Sequence, residues 1–403
     1  MRKRVKGFWQ KCGWLGAAVA IMLALCVCMA SYLAYGDSLR YSEAGELKGK
    51  ALNFKDLSVF FADLAHEKGA IYAFEVLKRA PLPPNIDIHL LGHVVGDILY
   101  EQEGPEGIML CTSDFRNACS HTIVIGTLLE KGPDSFSEIA ALCRRAPGGS
   151  GAYTMCFHGL GHGVLAFNDY ELPTAVKMCE KASPTRGREY RECVGGTIME
   201  MISGVHDVEM WKEKVKKYFK DEDPLYPCSA SFIPNEAKSM CYTYLTPHLF
   251  TAAGADLGRP DLKSIEKAFT YCDPLKGQSR NACFDGFGKE FAVLVQNRDI
   301  RIIESMTEKQ MTRMLDMCEL AKPRDGQIKC LLGALHSLFW GGENDPSVSL
   351  RMCAVAETRG EGKECYEDLI KTTGHYISDK KRRTDICEAM IEPYITQCKK
   401  ELI

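Results

Sequence analysis

The chain has no basic excess. Its 50 Lys and Arg face 53 Asp and Glu, a formal charge of −3 over 403 residues. A nucleic-acid binder needs a clustered positive surface, so no nucleic-acid partner is expected. Familiar catalytic signatures are missing too: there is no G-x-S-x-G elbow, no P-loop and no Rossmann fingerprint. Leu90 follows His89 and Gly159 follows His158, so neither histidine pair reads as the H-E-x-x-H of a zincin. Intrinsic disorder is excluded as well. With 46% hydrophobic and 26% charged residues, the chain can bury enough apolar surface to offset the entropy of ordering.

What the chain has in quantity is cysteine, 19 in all. Cys12, Cys26 and Cys28 lie near the N-terminus. The other sixteen fall into eight successive couples. In the first four, Cys111 goes with Cys119, Cys143 with Cys156, Cys179 with Cys193, and Cys228 with Cys241. In the last four, Cys272 goes with Cys283, Cys318 with Cys330, Cys353 with Cys365, and Cys387 with Cys398. Their second members recur every 33 to 48 residues, the period of a tandem array. No couple has the C-x-x-C spacing of a zinc ribbon or thioredoxin site, and no C-x-x-C-H offers haem attachment. An even count in regular couples favours disulfides and an oxidising compartment. Pairing within each couple is the simplest connectivity, and it leaves no spare thiol as a nucleophile.

The N-terminus agrees with export. Arg2, Lys3, Arg4, Lys6 and Lys11 precede an uncharged apolar stretch, Trp14 to Tyr35. As a helix rising 1.5 Å per residue, that stretch is long enough for a bilayer core of roughly 30 Å. It also exceeds the about 7–15 residues of a signal-peptide core, and no good small-residue cleavage site follows. The expectation is a single-pass cell-membrane protein with a cytoplasmic basic tail at 1–13 and a transmembrane signal-anchor at 14–35. A linker at 36–51 then leads to a periplasmic or extracellular body, because positive flanks stay inside.

Each cysteine unit reads as two helices. Phe136–Arg144, Leu172–Lys181, Asp261–Cys272 and Met311–Ala321 place apolar residues at helical spacing and end near the first cysteine. A Gly-, Pro- or charge-rich turn follows, and the second cysteine opens another apolar segment, as in Cys156–Phe167 or Cys330–Phe339. A bridge would staple the hairpin across its turn, contributing about 3 kcal/mol for a loop of this length. The fold class expected is therefore all-α: an αα-hairpin repeat solenoid, disulfide-stapled, behind one transmembrane helix. His-rich repeats should occupy 52–204, a charged helical insertion 205–227, and further stapled repeats 228–403. In this architecture the chain resembles cysteine-rich αα-repeat arrays of the TPR and Sel1-like kind. Its motifs HLLGH, CSH and CFHGLGHG look like those of uncharacterised exported bacterial Cys/His-repeat proteins. The resemblance implies a fold and brings no activity.

Chemistry should lie in the histidines. His89 and His93, and His158 and His162, are i, i+4 pairs that present two rings on one helical face. His121 and His158 both stand two residues after their unit's second cysteine, so stacked repeats should bring the five rings together. Such a cluster is a candidate site for a divalent transition metal, zinc, copper or iron. Glu200, in the next unit, is the candidate general base or carboxylate ligand, and Asp97 a candidate orienting partner for His93. His66, His206, His248, His336 and His375 read as ordinary surface or satisfied core residues. Gly92, Gly96, Gly159, Gly161 and Gly163 read as close-packing positions. Asp285, Glu290, His336 and Glu367 occupy the same columns later in the chain without repeating the histidine pattern, so the second half reads as scaffold or binding surface. Three functions fit. The first is a metal-binding repeat protein that could be a metal-dependent enzyme. The others are a non-catalytic scaffold binding a protein or peptide on its concave face, and an extracytoplasmic metal carrier or sensor.

Overall fold

The computed structural model describes residues 40–204, 208–256 and 258–403. Every regular element among them is helical. No helix among the described residues is long and apolar enough to cross a membrane. The expected tail and anchor, 1–13 and 14–35, lie outside the described residues. Within the expected linker, Ser42–Glu46 is a short helix.

Contacts divide the chain into two units. The smaller joins residues up to Ala51 with Phe74–Leu82, and in it the Arg79 guanidinium sits 4.4 Å from the centre of the Tyr41 ring. The larger comprises Leu52–Ala73 and Pro83–Ile403 and holds all the cysteine couples. In it the 205–227 insertion is helical at Val208–Val215, with a short 3-10 turn at Lys216–Tyr218.

All eight couples are bridged internally, with Cα–Cα distances of 5.3–5.7 Å. In the first half the bridges are Cys111 to Cys119, Cys143 to Cys156, Cys179 to Cys193, and Cys228 to Cys241. In the second they are Cys272 to Cys283, Cys318 to Cys330, Cys353 to Cys365, and Cys387 to Cys398. The geometry repeats. Cys143, near the end of Phe136–Arg145, joins Cys156 inside Gly149–Phe167; Cys318, ending Glu308–Cys318, joins Cys330 inside Arg324–Phe339.

Two details of the expected hairpin are corrected. The second cysteine does not open its helix but sits inside it. Cys241 lies within Asn235–Tyr244, Cys365 within Gly362–Tyr376 and Cys398 within Tyr394–Leu402, whereas the left-handed residues Phe115, Arg116 and Asn117 leave Cys119 at the opening of its right-handed helix. The helices start earlier than their apolar pattern suggests. Gly149–Phe167 begins seven residues before Cys156, through a polar and small-residue stretch that a stapled neighbour can hold helical. Nor does every first cysteine end an α-helix: Cys111 follows the 3-10 stretch Gly104–Leu110, and Cys228 lies in a run of turns. A bridge needs only that the two cysteines be close, not that both flanks be helical.

Glycine sets how the second helices meet. A Cβ on Gly161 would stand 2.0 Å from the Cys193 carbonyl oxygen, and one on Gly196 would stand 1.9 Å from that of His158. The second half repeats the device: Gly288 meets the Cys330 oxygen at 1.8 Å and Gly333 that of Asp285 at 1.9 Å. Gly161 and Gly288 both lie five residues after a second cysteine, and Gly196 and Gly333 both lie three after. Any side chain there would push backbone apart. Gly161 is an expected close-packing position; Gly196, Gly288 and Gly333 add to it.

Successive second helices pack in chain order from Ile88–Glu103 to Gly362–Tyr376. A repeat array predicts that much, since each unit touches its neighbours. It does not predict contacts between the ends. Yet Arg116 donates to Ser337 Oγ at 2.8 Å, Asn117 donates to Glu343, and Ser150 donates to the His375 carbonyl at 3.2 Å. These pairs are 221, 226 and 225 residues apart in sequence. The late units of the larger unit therefore return to the histidine-bearing ones and wall the cavities between them.

Candidate metal centre

Four consecutive second helices carry the expected residues. His89 and His93 lie on Ile88–Glu103, whose N-cap Asp87 accepts from the Leu90 amide at 3.1 Å. His121 lies on Asp114–Lys131, His158 and His162 on Gly149–Phe167, and Glu200 on Arg188–Ser203. Glycine brings them within reach. A Cβ on Gly92 would meet Ala118 at 2.7 Å, and one on Gly159 would meet the His121 backbone at 2.6 Å. The five rings converge as the column arithmetic predicts, with neighbouring centroids 4.6–6.5 Å apart. All five and Glu200 are buried, none more than 6% exposed.

The hydrogen bonds set the tautomers. His89 Nδ1 donates to the Phe115 carbonyl at 2.6 Å, and His162 Nδ1 donates to Glu200 Oε2 at 3.0 Å. In its neutral form a ring that donates through Nδ1 carries its lone pair on Nε2. One nitrogen from each of His89, His121 and His162 lies within 4.8 Å of the other two, so this trio could hold a metal ion. Orientation of a ligating imidazole by a carbonyl or carboxylate on its far nitrogen is the arrangement metal sites use. Among the described residues His162 Nε2 has no hydrogen-bond partner. Buried polar atoms in that state call for an explanation, and a bound ion supplies one. His93 Nε2 is 3.1 Å from His89 Nε2. Two nitrogens held at about 2.0–2.1 Å by one tetrahedral ion would be roughly 3.3 Å apart, so His93 is spaced to join.

Charge state agrees. Burial pulls the His89 pKa down to about 4, with Asp87 pushing the other way. Burial, then the neighbouring rings, holds His121 well below the ordinary value, and burial followed by His162 does the same for His158. These rings are neutral at physiological pH, the form that ligates.

Glu200 is fully buried behind His162 and gives an oxygen to that ring. It is absent from the cavity wall that His89 and His121 reach, and its contact with His162 Nδ1 is of the kind an orienting carboxylate makes. Asp97 is exposed on its helix. His158 stands at the edge of the cluster, with Nε2 3.4 Å from Met199 Sδ and its ring 4.9 Å from Tyr244.

His89, His121 and His158 open onto a cavity of about 100 Å³. Its other walls include Arg116, Tyr244, Lys289 and Trp340, residues that sequence reasoning did not single out. A second cavity, about 400 Å³, shares Tyr244, Lys289 and Trp340 and contains Asp285, His336 and Asp368. A signal for Lys289 was present. CFDGFGKE repeats the C-F-x-G-x-G frame of CFHGLGHG, with Lys289 in the His162 column and Asp285 in the His158 column. Arg116 had none. It is aimed by Phe115, Arg116 and Asn117 at φ 54°, 56° and 60°, a left-handed turn of three non-glycine residues ahead of His121. Each such residue costs about 1–2 kcal/mol. The same turn presents the Phe115 carbonyl to His89.

His336, read as an ordinary histidine, is held between two carboxylates: Nδ1 donates to Asp285 at 2.7 Å and Nε2 to Asp368 at 2.7 Å. No family model, no curated protein and no solved structure matches the chain.

Proposed function

We propose that the chain is a membrane-anchored, extracytoplasmic metalloenzyme built as a disulfide-stapled αα-repeat array. Its centre holds zinc, copper or iron on His89, His121 and His162, with His93 as a further ligand and Glu200 fixing His162. One observation carries this reading: three buried imidazoles each offer a ring nitrogen within 4.8 Å of the other two, while two of them donate Nδ1–H to Phe115 and Glu200. The cavity beside the trio favours an enzyme over a carrier, since a catalytic ion keeps one side open to substrate. An ion there supplies Lewis acidity, or activates a bound water for hydrolysis, or cycles electrons if it is copper or iron. The apolar stretch at 14–35 and the eight bridges support export and anchoring.

The test is metal content of the full-length chain purified in mild detergent. At least one transition-metal ion per chain is expected. Replacing His121 and His162 together by Ala should reduce it to background while the helical circular-dichroism signal and the bridges persist. A native chain that takes up no zinc, copper or iron at micromolar levels would overturn the proposal in favour of a scaffold.

A further inference from the structure

The cavity beside the histidines is lined by cations whose nearest acids are shared with other groups: Glu290, acting on Arg116, pairs with Arg298, and Asp285, acting on Lys289, is held by His336. The Arg116 guanidinium lies 4.3 Å from the centre of the Trp340 ring and donates to Ser337 Oγ. The Lys289 ammonium lies 4.8 Å from the same ring and 4.9 Å from that of Tyr244. Neither cation has a carboxylate at ion-pairing distance among the described residues. Each rests on aromatic faces, an arrangement that attracts a cation but leaves its charge in place. Arg298, a third cation on this wall, is shared with Glu290 at 3.6 Å. Asp87, the other acid on the wall, is engaged as a helix N-cap.

The acids just behind are weakened as counter-charges. Burial raises the Glu343 carboxyl well above its ordinary value, and burial raises Glu192 to about 7. Burial also lowers the pKa of both Arg116 and Lys289, the sign expected of cations short of partners.

Backbone strain marks the same wall. Arg116, Arg298 and Trp340 all line the cavity, and all are non-glycine residues in the left-handed region, at φ 56°, 64° and 34°. Strain of this kind persists only where surrounding structure enforces it, and it clusters at sites that bind or react. Here it holds two cations and the indole beneath one of them at one face of a small cavity. His89, His121 and His158 line the same cavity.

We infer that this cavity is the substrate subsite for an oxyanion, a phosphate or carboxylate group gripped by Arg116 and Lys289 beside the metal centre. The inference rests on the metal reading for its catalytic meaning, but anion binding itself does not require the ion. A fork-shaped guanidinium with a mobile ammonium suits either group. It gives the proposed enzyme a substrate class, an anionic molecule presenting its charged group to the ion's open side.

The test uses the full-length chain in detergent, both chelator-stripped and zinc-loaded, titrated calorimetrically with inorganic phosphate and separately with succinate. At least one of the two should bind the stripped chain, and binding should weaken as salt rises. Lys289→Met and Arg116→Gln, each checked for native helicity and bridging, should each weaken that binding tenfold or more. Preference for phosphate or for succinate would say which oxyanion the subsite takes. Absence of binding by either anion, or unchanged affinity in both folded variants, would overturn the inference. Loss of zinc binding with anion binding retained would overturn the metal reading alone.

Discussion

The two halves of the larger unit share a scaffold and differ in how they use an imidazole. Both staple helix pairs with local bridges, and both press second helices together at glycines in the same register, Gly161 with Gly196 and Gly288 with Gly333. In the first half, His89, His121 and His158 are buried among each other, and burial drives them neutral. In the second half, His336 keeps about a third of its side chain exposed and sits between Asp285 and Asp368. Burial pulls its pKa down, but the two carboxylates outweigh it and raise it to about 10. One ring type is thus neutral in one place and a fixed cation in the other. The scaffold leaves this choice to the column residues: His158 and His162 after Cys156, Asp285 and Lys289 after Cys283.

If the halves really share a scaffold, their staples should be worth the same. Cys143–Cys156 and Cys318–Cys330 span 13 and 12 residues, and the chain-entropy model gives about 3 kcal/mol for each. Replacing either pair by Ala should lower unfolding free energy by that amount in denaturant titrations, within about 1 kcal/mol of one another. Only the first replacement should also weaken metal binding, since Cys156 anchors the helix that carries His158 and His162. A clearly larger loss in the first half would show that the histidine seam itself bears stability, and the shared-scaffold comparison would break.

The next largest effect sharpens the difference in chemistry. Glu200→Gln keeps shape but exchanges the carboxylate that fixes His162 Nδ1–H for a weaker, neutral acceptor. Loss of such an orienting partner costs about 10–100-fold in metal affinity, or about 1.4–2.7 kcal/mol. Competition against a chromophoric chelator measures it. Asp368→Asn, in the other half, should leave that affinity unchanged. Equal effects from both substitutions would mean that Glu200 has no special relation to the ion.

Cysteine spacing alone exposes the helix pairs and their bridges, because a bridge between sequence neighbours leaves a local signature. It does not expose where the second helices begin, since the residues ahead of Cys156 or Cys365 are mostly polar or small and are held helical by packing. Convergence of five histidines was legible because repeats turn column position into spatial position. The return of the late units was not, because contacts such as Arg116 with Ser337 link residues 221 apart with no periodic trace. Arg116 reaches the cavity through a left-handed turn that its own residue types disfavour, so local propensity points the wrong way. Trp340 does likewise at φ 34°. His336 is a partly exposed, satisfied histidine as expected, but its partners are not legible in the sequence because Asp285 and Asp368 lie in two other units. Asp285 was noticed in its column but not as a partner.

The smallest expected effect tests the His336 cation directly. Its folded pKa lies above the ordinary 6.5, so the stability it contributes is complete below about pH 6.5 and is lost as pH rises toward about 10. For Asp368, burial pushes the pKa up, but the hydrogen bond and charge of His336 hold it below its ordinary 3.8. That contribution is present above 3.8 and disappears as pH falls through the lowered value. The interaction is therefore at full strength between about pH 4 and 6.5. Solvent reaches the ring, so the loss should be about 1 kcal/mol or less. Asp368→Asn should bring the His336 pKa down toward 6.5, seen in the pH dependence of its imidazole NMR signals, and should flatten the decline in thermal stability between pH 7 and 10. The neutral rings of the first half should show no matching titration in that range. An unchanged His336 pKa in the variant would mean that Asp285 alone holds the proton, and that the second half balances one imidazolium against one carboxylate instead of two.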